Sequence, residues 1–424
     1  MNFGIIIGRI GGVDGVALET EKWISVLLQM GHKIHVFCGE LEKELSLDCT
    51  ITLFEKAAFG SETCLWEQEN VFLNPQKEDR EIETTLQENV ESIEDALLGW
   101  LKEKQIECIL TENATTLPFH LSLGIASCNV IAKTGLPGIA HDHDFYWERG
   151  DRYKTPYSKV QEELQRCFPP NLENLSHAVI NHYSQEELKK RGIDSIVVPN
   201  VMDFDQEFAP VDDYNSELLE TLGIDSSKDI ALFQITRIVK RKGIETAIEL
   251  ISKLERSNVH LVLTGRRTDD EGGAYTDFLI GYTRKLGLED QVHFAGESFD
   301  NFRMLEEGSK IYSLEDAYAH ADAMTYFSTY EGFGNAFVEA VLARLPIFVN
   351  NYKPVYWPEI GSLGFQTVQI EDSILDEKSL VEIQKVLNDK SLREDMTARN
   401  FEIGRRHLSF QVLREKLEIL MGDL

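Results

Sequence analysis

The stretch Thr325–Asn350, TYFSTYEGFGNAFVEAVLARLPIFVN, carries the pattern that decides the fold. A short apolar run precedes a polar turn containing Gly332 and Gly334, and apolar residues at helical spacing follow that turn. A second apolar run, Ile347–Val349, ends the stretch. The predicted order is strand, glycine turn, helix, strand, which is the repeating unit of a parallel α/β sheet.

The glycine turn also predicts a binding site. Gly332 and Gly334 let main-chain N–H groups approach a ligand without an intervening Cβ, and the start of a helix favours a bound anion. Glu331 in the turn and Glu339 one helical turn further are predicted to reach the same cleft. A plain turn is the alternative for the glycines, whereas Glu339 lies in an apolar helix and needs a partner. The pattern predicts a ligand with both hydroxyls and phosphates.

Composition limits the class of protein. The 424 residues, 42% of them hydrophobic, predict two to three domains with substantial cores. A net charge of −30 argues against nucleic-acid binding and against anionic membranes, because both would repel the chain. The six cysteines form no Cys-x-x-Cys pair, and no apolar run reaches the length of a membrane span. We therefore expect a cytoplasmic, soluble protein in a reducing compartment.

The strand–helix alternation occurs twice. It begins at the apolar run Phe3–Ile7 and restarts near Asp229, after a polar, acidic segment that suits a linker. We predict an N-terminal Rossmann-like lobe over residues 1–205 and a C-terminal one over 206–409. The helix over about 410–424 is predicted to cross back to the first lobe.

The first strand leads into a glycine-containing turn, which raises the question of a dinucleotide site. The nicotinamide fingerprint requires Gly-x-Gly-x-x-Gly directly after the strand. Here the glycines are Gly8, Gly11, Gly12 and Gly15, and the pattern fails. Hydride transfer is therefore not the predicted chemistry.

The run His141–Arg149, HDHDFYWER, follows a predicted strand of the first lobe. Residues at the carboxyl end of a parallel strand line the ligand crevice. The His-x-His spacing suggests a metal site, but the sequence offers no further ligand at a helpful spacing, and no metal is predicted. The alternatives are that Asp142 or Asp144 orients a histidine, or that the run is a hydrogen-bonded loop without chemistry.

A basic run, Thr236–Gly243 (TRIVKRKG), follows the first strand of the second lobe. Four cations in six residues are unexpected in so acidic a chain. A basic surface turn is one interpretation. The favoured one is a phosphate clamp, in which Arg237 binds oxygens bidentately and Lys242 supplies a point charge.

Three separated motifs carry a resemblance to a known family. In chain order they are Leu136-Pro137 leading to His143-Asp144-Phe145, then Arg237 with Lys242-Gly243, and then Glu331 to Glu339 around Gly332-Phe333-Gly334, with Gly11-Gly12 and Pro199-Asn200 as weaker markers. On these residues the chain resembles the family-4 glycosyltransferases, in the superfamily that includes sucrose-phosphate synthase and glycogen synthase. The resemblance implies the GT-B architecture, with two doubly wound parallel-sheet lobes facing across a cleft.

The resemblance also implies the reaction and its residues. A hexose would pass from a nucleotide-diphosphate sugar to an acceptor with retention of anomeric configuration. The implied catalytic residues are His143, Arg237, Lys242 and Glu331. The implied donor-binding residues are Gly11, Gly12, Arg237, Lys242, Glu331, Gly332, Phe333, Gly334, Asn335 and Glu339. Because the two cations neutralise the departing diphosphate, no metal or other cofactor is required.

Polarity indicates the acceptor. The polar residues predicted to line its pocket in the first lobe are Arg9, Asp14, Asp142, Asp144, Arg149 and Arg152. They suit a small hydroxylated molecule, and the arginines suit a carboxylate or phosphate on it. We expect an acidic compatible-solute precursor, such as a glyceric acid glycoside, or a sugar phosphate. The alternatives are a nucleotide-sugar epimerase of the same fold and a non-catalytic nucleotide-sugar-binding protein.

Overall fold

The structure, a computed structural model, describes residues 1–269, 271–306 and 308–422. The chain divides into two units. Unit 1 comprises Met1–Val201 and the C-terminal segment from Phe410, and unit 2 comprises Met202–Ser409. Each unit is built around its own parallel sheet.

Unit 1 contains a seven-stranded sheet whose strand pairs are all parallel. Its strands are β1 (Asn2–Ile10), β2 (Lys33–Leu41), β3 (Cys49–Leu53), β4 (Cys108–Glu112), β5 (Gly138–Asp142), β6 (Leu175–Val179) and β7 (Ser195–Val197). Its helices before the C-terminal segment are α1 (Gly15–Gln29), α2 (Glu62–Glu67), α3 (Asp79–Lys104), α4 (Leu121–Thr134), α5 (Ser158–Cys167) and α6 (His182–Lys190).

Unit 2 contains a six-stranded parallel sheet and a small three-stranded sheet. Its strands are β8 (Ile230–Gln234), β9 (Val259–Leu263), β10 (Val292–Phe294), β11 (Phe299–Asp300), β12 (Met304–Glu306), β13 (Ser309–Ser313), β14 (Ala323–Tyr326), β15 (Ile347–Asn350) and β16 (Val368–Ile370). Its helices are α7 (Leu218–Thr221), α8 (Ile244–Leu254), α9 (Ala274–Lys285), α10 (Leu314–Ala319), α11 (Asn335–Leu342), α12 (Tyr356–Glu359), α13 (Glu377–Asn388) and α14 (Lys390–His407).

The two large sheets share one strand order. In unit 1 it is β3-β2-β1-β4-β5-β6-β7, and in unit 2 it is β10-β9-β8-β14-β15-β16. In both, the order reverses beside the first strand, and in such sheets ligands bind at the carboxyl ends of the strands on either side of the reversal. The prediction of two doubly wound parallel-sheet units is confirmed. The positions to inspect are the ends of β1 and β4 in unit 1, and of β8 and β14 in unit 2.

The C-terminal helix, α15 (Phe410–Gly422), packs on unit 1. Its buried leucines Leu413 and Leu417 share a hydrophobic cluster with Trp23 and Leu27 of α1. Both leucines and Trp23 are fully shielded from solvent. Burying a side chain of this size contributes about 1.5–3 kcal/mol, so the cluster fixes α15 against α1.

Several short elements escape the sequence pattern. Strand β3, at the sheet edge, contains only half-buried and exposed residues, and β12 is exposed throughout. The segment from α2 to Leu73 is a short helix followed by a π-helical turn. Such pieces bury too few apolar side chains to give a clear period. Among the described residues, none of the helices combines the length and apolar character that crossing a bilayer requires.

Candidate active site

The loop between β8 and α8 carries the predicted phosphate clamp. Lys240–Lys242 form a single 3₁₀ turn that ends at Gly243, whose φ is +62°. Gln234, the last residue of β8, donates its side-chain amide to the main-chain oxygen of Lys242 at 2.8 Å. Thr325 of β14 donates to the same Gln234 side chain at 3.1 Å. The turn is therefore tied to both strands at the point where the sheet order reverses.

Two cations of this turn converge on one buried carboxylate. Lys242 Nζ lies 2.5 Å from Glu331 Oε1, and Arg241 Nη1 lies 2.7 Å from Glu331 Oε2. Arg241 also donates to the main-chain oxygen of Tyr330 at 2.9 Å. The side chains of Lys242 and Glu331 are only 11% and 9% exposed, so this pair is held in a poorly solvated place. The structure therefore brings the basic run into contact with the glycine turn.

Burial and charge shift the titration of this cluster. Burial lowers the pKa of Lys242, and the positive charges of Arg241 and Arg237 act in the same direction, against the raising effect of Glu331. Burial raises the pKa of Glu331, but Lys242 and Arg241 outweigh it, so the net shift is downward. The carboxylate is therefore charged at neutral pH, and the lysine loses its proton more readily than a free lysine does.

Arg241 is the second cation on Glu331. The side chain of Arg237, which is predicted to bind the diphosphate, is exposed, and its charge is close enough to affect the pKa of Lys242. The signal for Arg241 was the density of cations in the run. The 3₁₀ turn decides which member faces the carboxylate, and the sequence pattern did not predict that turn.

The glycine turn before α11 is shaped by close packing. Gly334 has φ +132°, and a Cβ on it would lie 2.3 Å from the hydroxyl oxygen of Tyr352. That hydroxyl donates to the main-chain oxygen of Phe333 at 2.7 Å. Asn335 is the first residue of α11, so Gly332, Phe333 and Gly334 lead directly into the helix start. The predicted strand, turn and helix are all present.

Glu339 has the partner that its apolar surroundings demand. Tyr318 of α10 donates its hydroxyl to Glu339 Oε2 at 2.7 Å. Burial raises the pKa of Tyr318, and the Glu339 charge adds to that shift, so the phenol stays protonated. Glu331 and Glu339 thus have different partners. The sequence pattern did not indicate Tyr318 as the partner of Glu339, because Tyr318 lies on a separate helix 21 residues earlier.

The N-terminal glycine turn of unit 1 packs closely against the segment that follows β2. Gly11 has φ +77°, and a Cβ on it would lie 2.3 Å from the main-chain oxygen of Lys43. A Cβ on Gly12 would lie 2.7 Å from Glu42 Oε2. Asp14 caps α1 by accepting from the main-chain nitrogens of the first turn. Arg9 pairs with Asp14 and with Glu42, each at 3.1 Å.

Four predicted acceptor residues lie near the end of β5 or on the segment after it. Asp144 accepts from Asn113 at 2.9 Å and pairs with Arg149, whose side chain is 52% exposed. Arg152 donates to Gln68 and lies over the ring of Tyr153 at 4.9 Å. Arg149 is therefore the predicted acceptor arginine with the most exposed side chain. Asp142, the fourth, has a different environment.

Asp142, which was predicted to line the acceptor pocket, has a structural role instead. It is fully buried in β5, and its Oδ2 lies 2.7 Å from His177 Nδ1 on β6. The other ring nitrogen of His177 lies 2.9 Å from the main-chain oxygen of Pro170. Because side chains alternate along a strand, Asp142 points to the opposite face of the sheet from His141.

His143 lies in a buried cluster that the sequence analysis did not assemble. Glu112, the last residue of β4, is the parallel partner of His141 on β5. Glu112 Oε2 lies 2.8 Å from His141 Nδ1 and 3.7 Å from His143 Nε2. The ring of Trp23 stacks on His141 with centroids 4.0 Å apart. Only the register of the two strands brings Glu112 to the His-x-His pair.

Burial controls the protonation of this cluster. It raises the pKa of Glu112 to about 7, against the lowering effect of His143. It lowers the pKa of His141 to about 3 and that of His143 to about 4. Both imidazoles are therefore neutral at pH 7.

Known proteins and families match this chain either over unit 2 or over both units. A family model described as glycosyl transferases, group 1, matches residues 217–402, which lie in unit 2. The chain is 33% identical to the mannosylglucosylglycerate synthase of Thermotoga maritima, covering 98% of this chain and 99% of that protein. It is 32% identical to the protein of the same name from Petrotoga mobilis, covering 91% and 90%. A solved glycosyltransferase from Rickettsia africae shares the fold with a TM-score of 0.68 at 13% identity, covering 100% and 98%.

The two relatives that span nearly the whole chain are named as synthases. That favours group transfer over both alternatives raised by the sequence, a nucleotide-sugar epimerase and a non-catalytic nucleotide-sugar-binding protein. The resemblance drawn from the motifs is confirmed.

Proposed function

The chain belongs to the group 1 glycosyltransferases, enzymes of the GT-B fold related to family 4. Within that family, we propose that it transfers a mannosyl group. The donor in this proposal is a nucleotide-diphosphate mannose. The acceptor is glucosylglycerate, an acidic glyceric acid glycoside, and the product is a compatible solute. The transfer retains the anomeric configuration of the sugar.

The observation that carries this proposal is similarity along the full length. A relative named mannosylglucosylglycerate synthase is 33% identical over 98% of this chain. A match limited to unit 2 would support only the assignment of the donor, because the family model matches that unit as well. The match spans unit 1 as well, and unit 1 contains the residues predicted for the acceptor.

The donor end of the reaction is assigned to unit 2. Breaking a glycosyl–phosphate bond places negative charge on the departing diphosphate, and fixed cations stabilise charge where it develops. Lys242 and Arg237 hold the diphosphate in this proposal, joined by Arg241, which already lies on the same turn. A bound diphosphate competes with Glu331 for Lys242, since the ion pair is the contact that Lys242 makes without a ligand.

The sugar and nucleoside ends use the glycine turn and α11. Glu331 and the main-chain nitrogens of Phe333, Gly334 and Asn335 hold the hydroxyls of the transferred sugar. Glu339 binds the ribose hydroxyls, with Tyr318 orienting its carboxylate through the 2.7 Å hydrogen bond. The start of α11 adds a favourable field for the phosphate next to it.

The acceptor end is assigned to unit 1. The carboxylate of the glyceric acid pairs with Arg149, which keeps half of its side chain exposed beside Asp144. Arg9, Asp14, Asp144 and Arg152 contribute polar contacts, and Gly11 and Gly12 allow close approach. In this proposal His143 acts on the transferred sugar, the role that the resemblance implies for it.

The transfer proceeds on one face of the sugar. The anomeric carbon–phosphate oxygen bond breaks, and an acceptor hydroxyl oxygen forms the new bond to that carbon from the same side. The departing phosphate oxygen takes the hydroxyl proton, so the products are the glycoside and the nucleoside diphosphate. This route explains why the motifs supply no separate carboxylate nucleophile.

The direct test is a product assay. Purified protein is incubated with GDP-mannose and, in parallel, with UDP-glucose, each with glucosylglycerate. We expect mannosylglucosylglycerate from the mannose donor, and NMR of the new anomeric centre to show the configuration of the donor. Product with the inverted configuration would contradict the retaining mechanism. Turnover that requires a lipid or peptide acceptor would contradict the assignment of glucosylglycerate as the acceptor.

A second test concerns Glu339. The substitution Glu339→Gln removes the negative charge that strengthens hydrogen bonds from the ribose hydroxyls, but it keeps the shape of the side chain and a hydrogen-bonding group. We expect the nucleoside diphosphate dissociation constant, measured by calorimetry, to rise by about 10- to 100-fold, the cost of one charged hydrogen bond. The matched control is Glu315→Gln on neighbouring α10, which should bind nucleotide as the parent does. Unchanged affinity in Glu339→Gln would make Glu339 a structural partner of Tyr318.

A further inference from the structure

The cluster of Glu112, His141 and His143 contains two buried side chains, Glu112 and His141, that the proposed transfer does not use. Its three side chains are 2%, 1% and 8% exposed, and they offer one carboxylate and two imidazole groups within 4.8 Å of one another. Glu112 and His141 are register partners on adjacent parallel strands, and His143 follows two residues later. The sheet therefore fixes the backbone of two of the three residues, and His143 directly follows β5.

Two polar atoms of this cluster lack a hydrogen-bond partner among the described residues. They are Glu112 Oε1 and His143 Nε2, and both are shielded from solvent. His143 Nε2 faces Glu112 Oε2 at 3.7 Å, which is too long for a hydrogen bond. A buried polar atom left unsatisfied costs about 1–3 kcal/mol. Two such atoms in one cluster of metal-ligating side chains point to a missing ligand.

A cation suits both orphaned atoms, because a carboxylate oxygen carries lone pairs and His143 Nε2 carries one in the tautomer whose proton lies on Nδ1. A proton on the carboxyl would still leave the gap between Oε2 and Nε2 unbridged. A cation seated among the carboxylate and the two ring nitrogens accepts all three lone pairs. It also offsets the burial of a carboxylate, which is costly unless the charge is paired or coordinated.

The donor set selects the kind of cation. Two imidazole nitrogens with one carboxylate suit zinc and its neighbours among the transition metals, whereas magnesium and calcium prefer oxygen ligands. Three protein ligands leave a fourth position open in a tetrahedral site. The surroundings fix the ligands, because Trp23 stacks on His141 and Asn113 Oδ1 accepts from the main-chain nitrogen of His143 at 3.1 Å.

We propose that Glu112, His141 and His143 form a divalent transition-metal site in unit 1. The site binds one ion per chain and keeps one coordination position for a small oxygen ligand. It is separate from the cations of unit 2, which neutralise the diphosphate without a metal. Binding of the ion is measured without any sugar substrate, so failure to bind it would leave the proposed transfer standing.

The experiment uses the full-length protein stripped of metal with a chelator. Zn²⁺ is titrated by calorimetry, and Co²⁺ is titrated by visible absorption, where a tetrahedral site gives intense d–d bands. We expect saturation at one ion per chain for both metals and no comparable binding of Mg²⁺. Absence of Co²⁺ bands in the parent protein would overturn the proposal without reference to any variant.

Variants locate the ion. Glu112→Gln and His143→Gln should each weaken Zn²⁺ binding by more than about 100-fold, the upper end for losing a residue that only supports a ligand. The matched control is His35→Gln on β2, a strand that pairs with neither β4 nor β5, and it should bind Zn²⁺ as the parent does. Circular dichroism of the metal-free variants verifies that they fold. Full Zn²⁺ affinity in both cluster variants would place the ion elsewhere and overturn the proposal.

Discussion

Lys242→Ala is expected to lower kcat by about 10²–10³-fold, the usual loss when one fixed group that stabilises developing charge is removed. In the ligand-free structure Lys242 is nearly buried and its ammonium lies 2.5 Å from Glu331. A cation held in so little water acts strongly on a phosphate that gains charge as the glycosyl bond breaks. Steady-state kinetics with the mannose donor and glucosylglycerate measure the effect.

The control for Lys242 lies on the same turn. Lys240 has the same side chain but is exposed, so Lys240→Ala should retain most of the parent activity. Removing Lys242 also leaves Glu331 with Arg241 as a partner, which limits the damage to folding. Circular dichroism and thermal unfolding should show both variants folded. Near-parent activity in Lys242→Ala would exclude Lys242 from the clamp.

The pH dependence gives the same prediction a second readout. Burial lowers the pKa of Lys242 below the 10.5 of a free lysine. As pH rises through that lowered pKa, Lys242 loses the charge that binds the diphosphate, so kcat/KM should fall. The profile of kcat/KM reports groups of the free enzyme, which is the state the structure describes. Lys242→Arg, whose guanidinium keeps its charge, should lose this alkaline decline if it retains activity.

The parts of the site that the sequence predicted are local in the chain. The strand, glycine turn and helix from Thr325 onward follow from apolar spacing and from two glycines, and all three elements are present. The basic run and the carboxylate Glu331 were both identified as well. Their mutual contact could be expected because each follows a strand beside the point where the sheet order reverses. Which arginine makes it depended on a 3₁₀ turn with no apolar period of its own.

The parts that the sequence missed depend on strand register. Glu112 gives no signal as a ligand, since nothing in its neighbourhood separates it from the many other acidic residues of the chain. It becomes informative only when β4 and β5 pair so that it lies opposite His141. Asp142, the next residue of β5, points to the opposite face of the sheet from His141. There it forms a hydrogen bond with His177, whereas the sequence predicted contact with the acceptor substrate. A shift of one residue would exchange these two environments.

Gly243→Ala is expected to lower the free energy of unfolding by about 3 kcal/mol or more and to reduce activity toward that of Lys242→Ala. Gly243 has φ +62°, and a Cβ on it would lie 2.0 Å from the main-chain oxygen of Phe327. A left-handed backbone costs a side-chain-bearing residue about 1–2 kcal/mol, and overpacking adds about 1–3 kcal/mol. Phe327 directly follows β14, so relief of the clash must move the turn of Lys242 away from that strand.

The displacement has a specific consequence for the site. The main-chain nitrogen of Thr329 donates to the oxygen of Arg241 at 2.7 Å, and this bond connects the basic turn to the segment that carries Glu331. Moving the turn breaks that bond and separates Lys242 from the carboxylate. The matched control is Gly287→Ala in the same unit, where φ is +68° but no atom lies within 4 Å of the new Cβ. It should lose only the backbone cost of about 1–2 kcal/mol and keep its activity. Equal losses in thermal unfolding and in kcat for the two variants would show that the contact with Phe327 does not position Lys242.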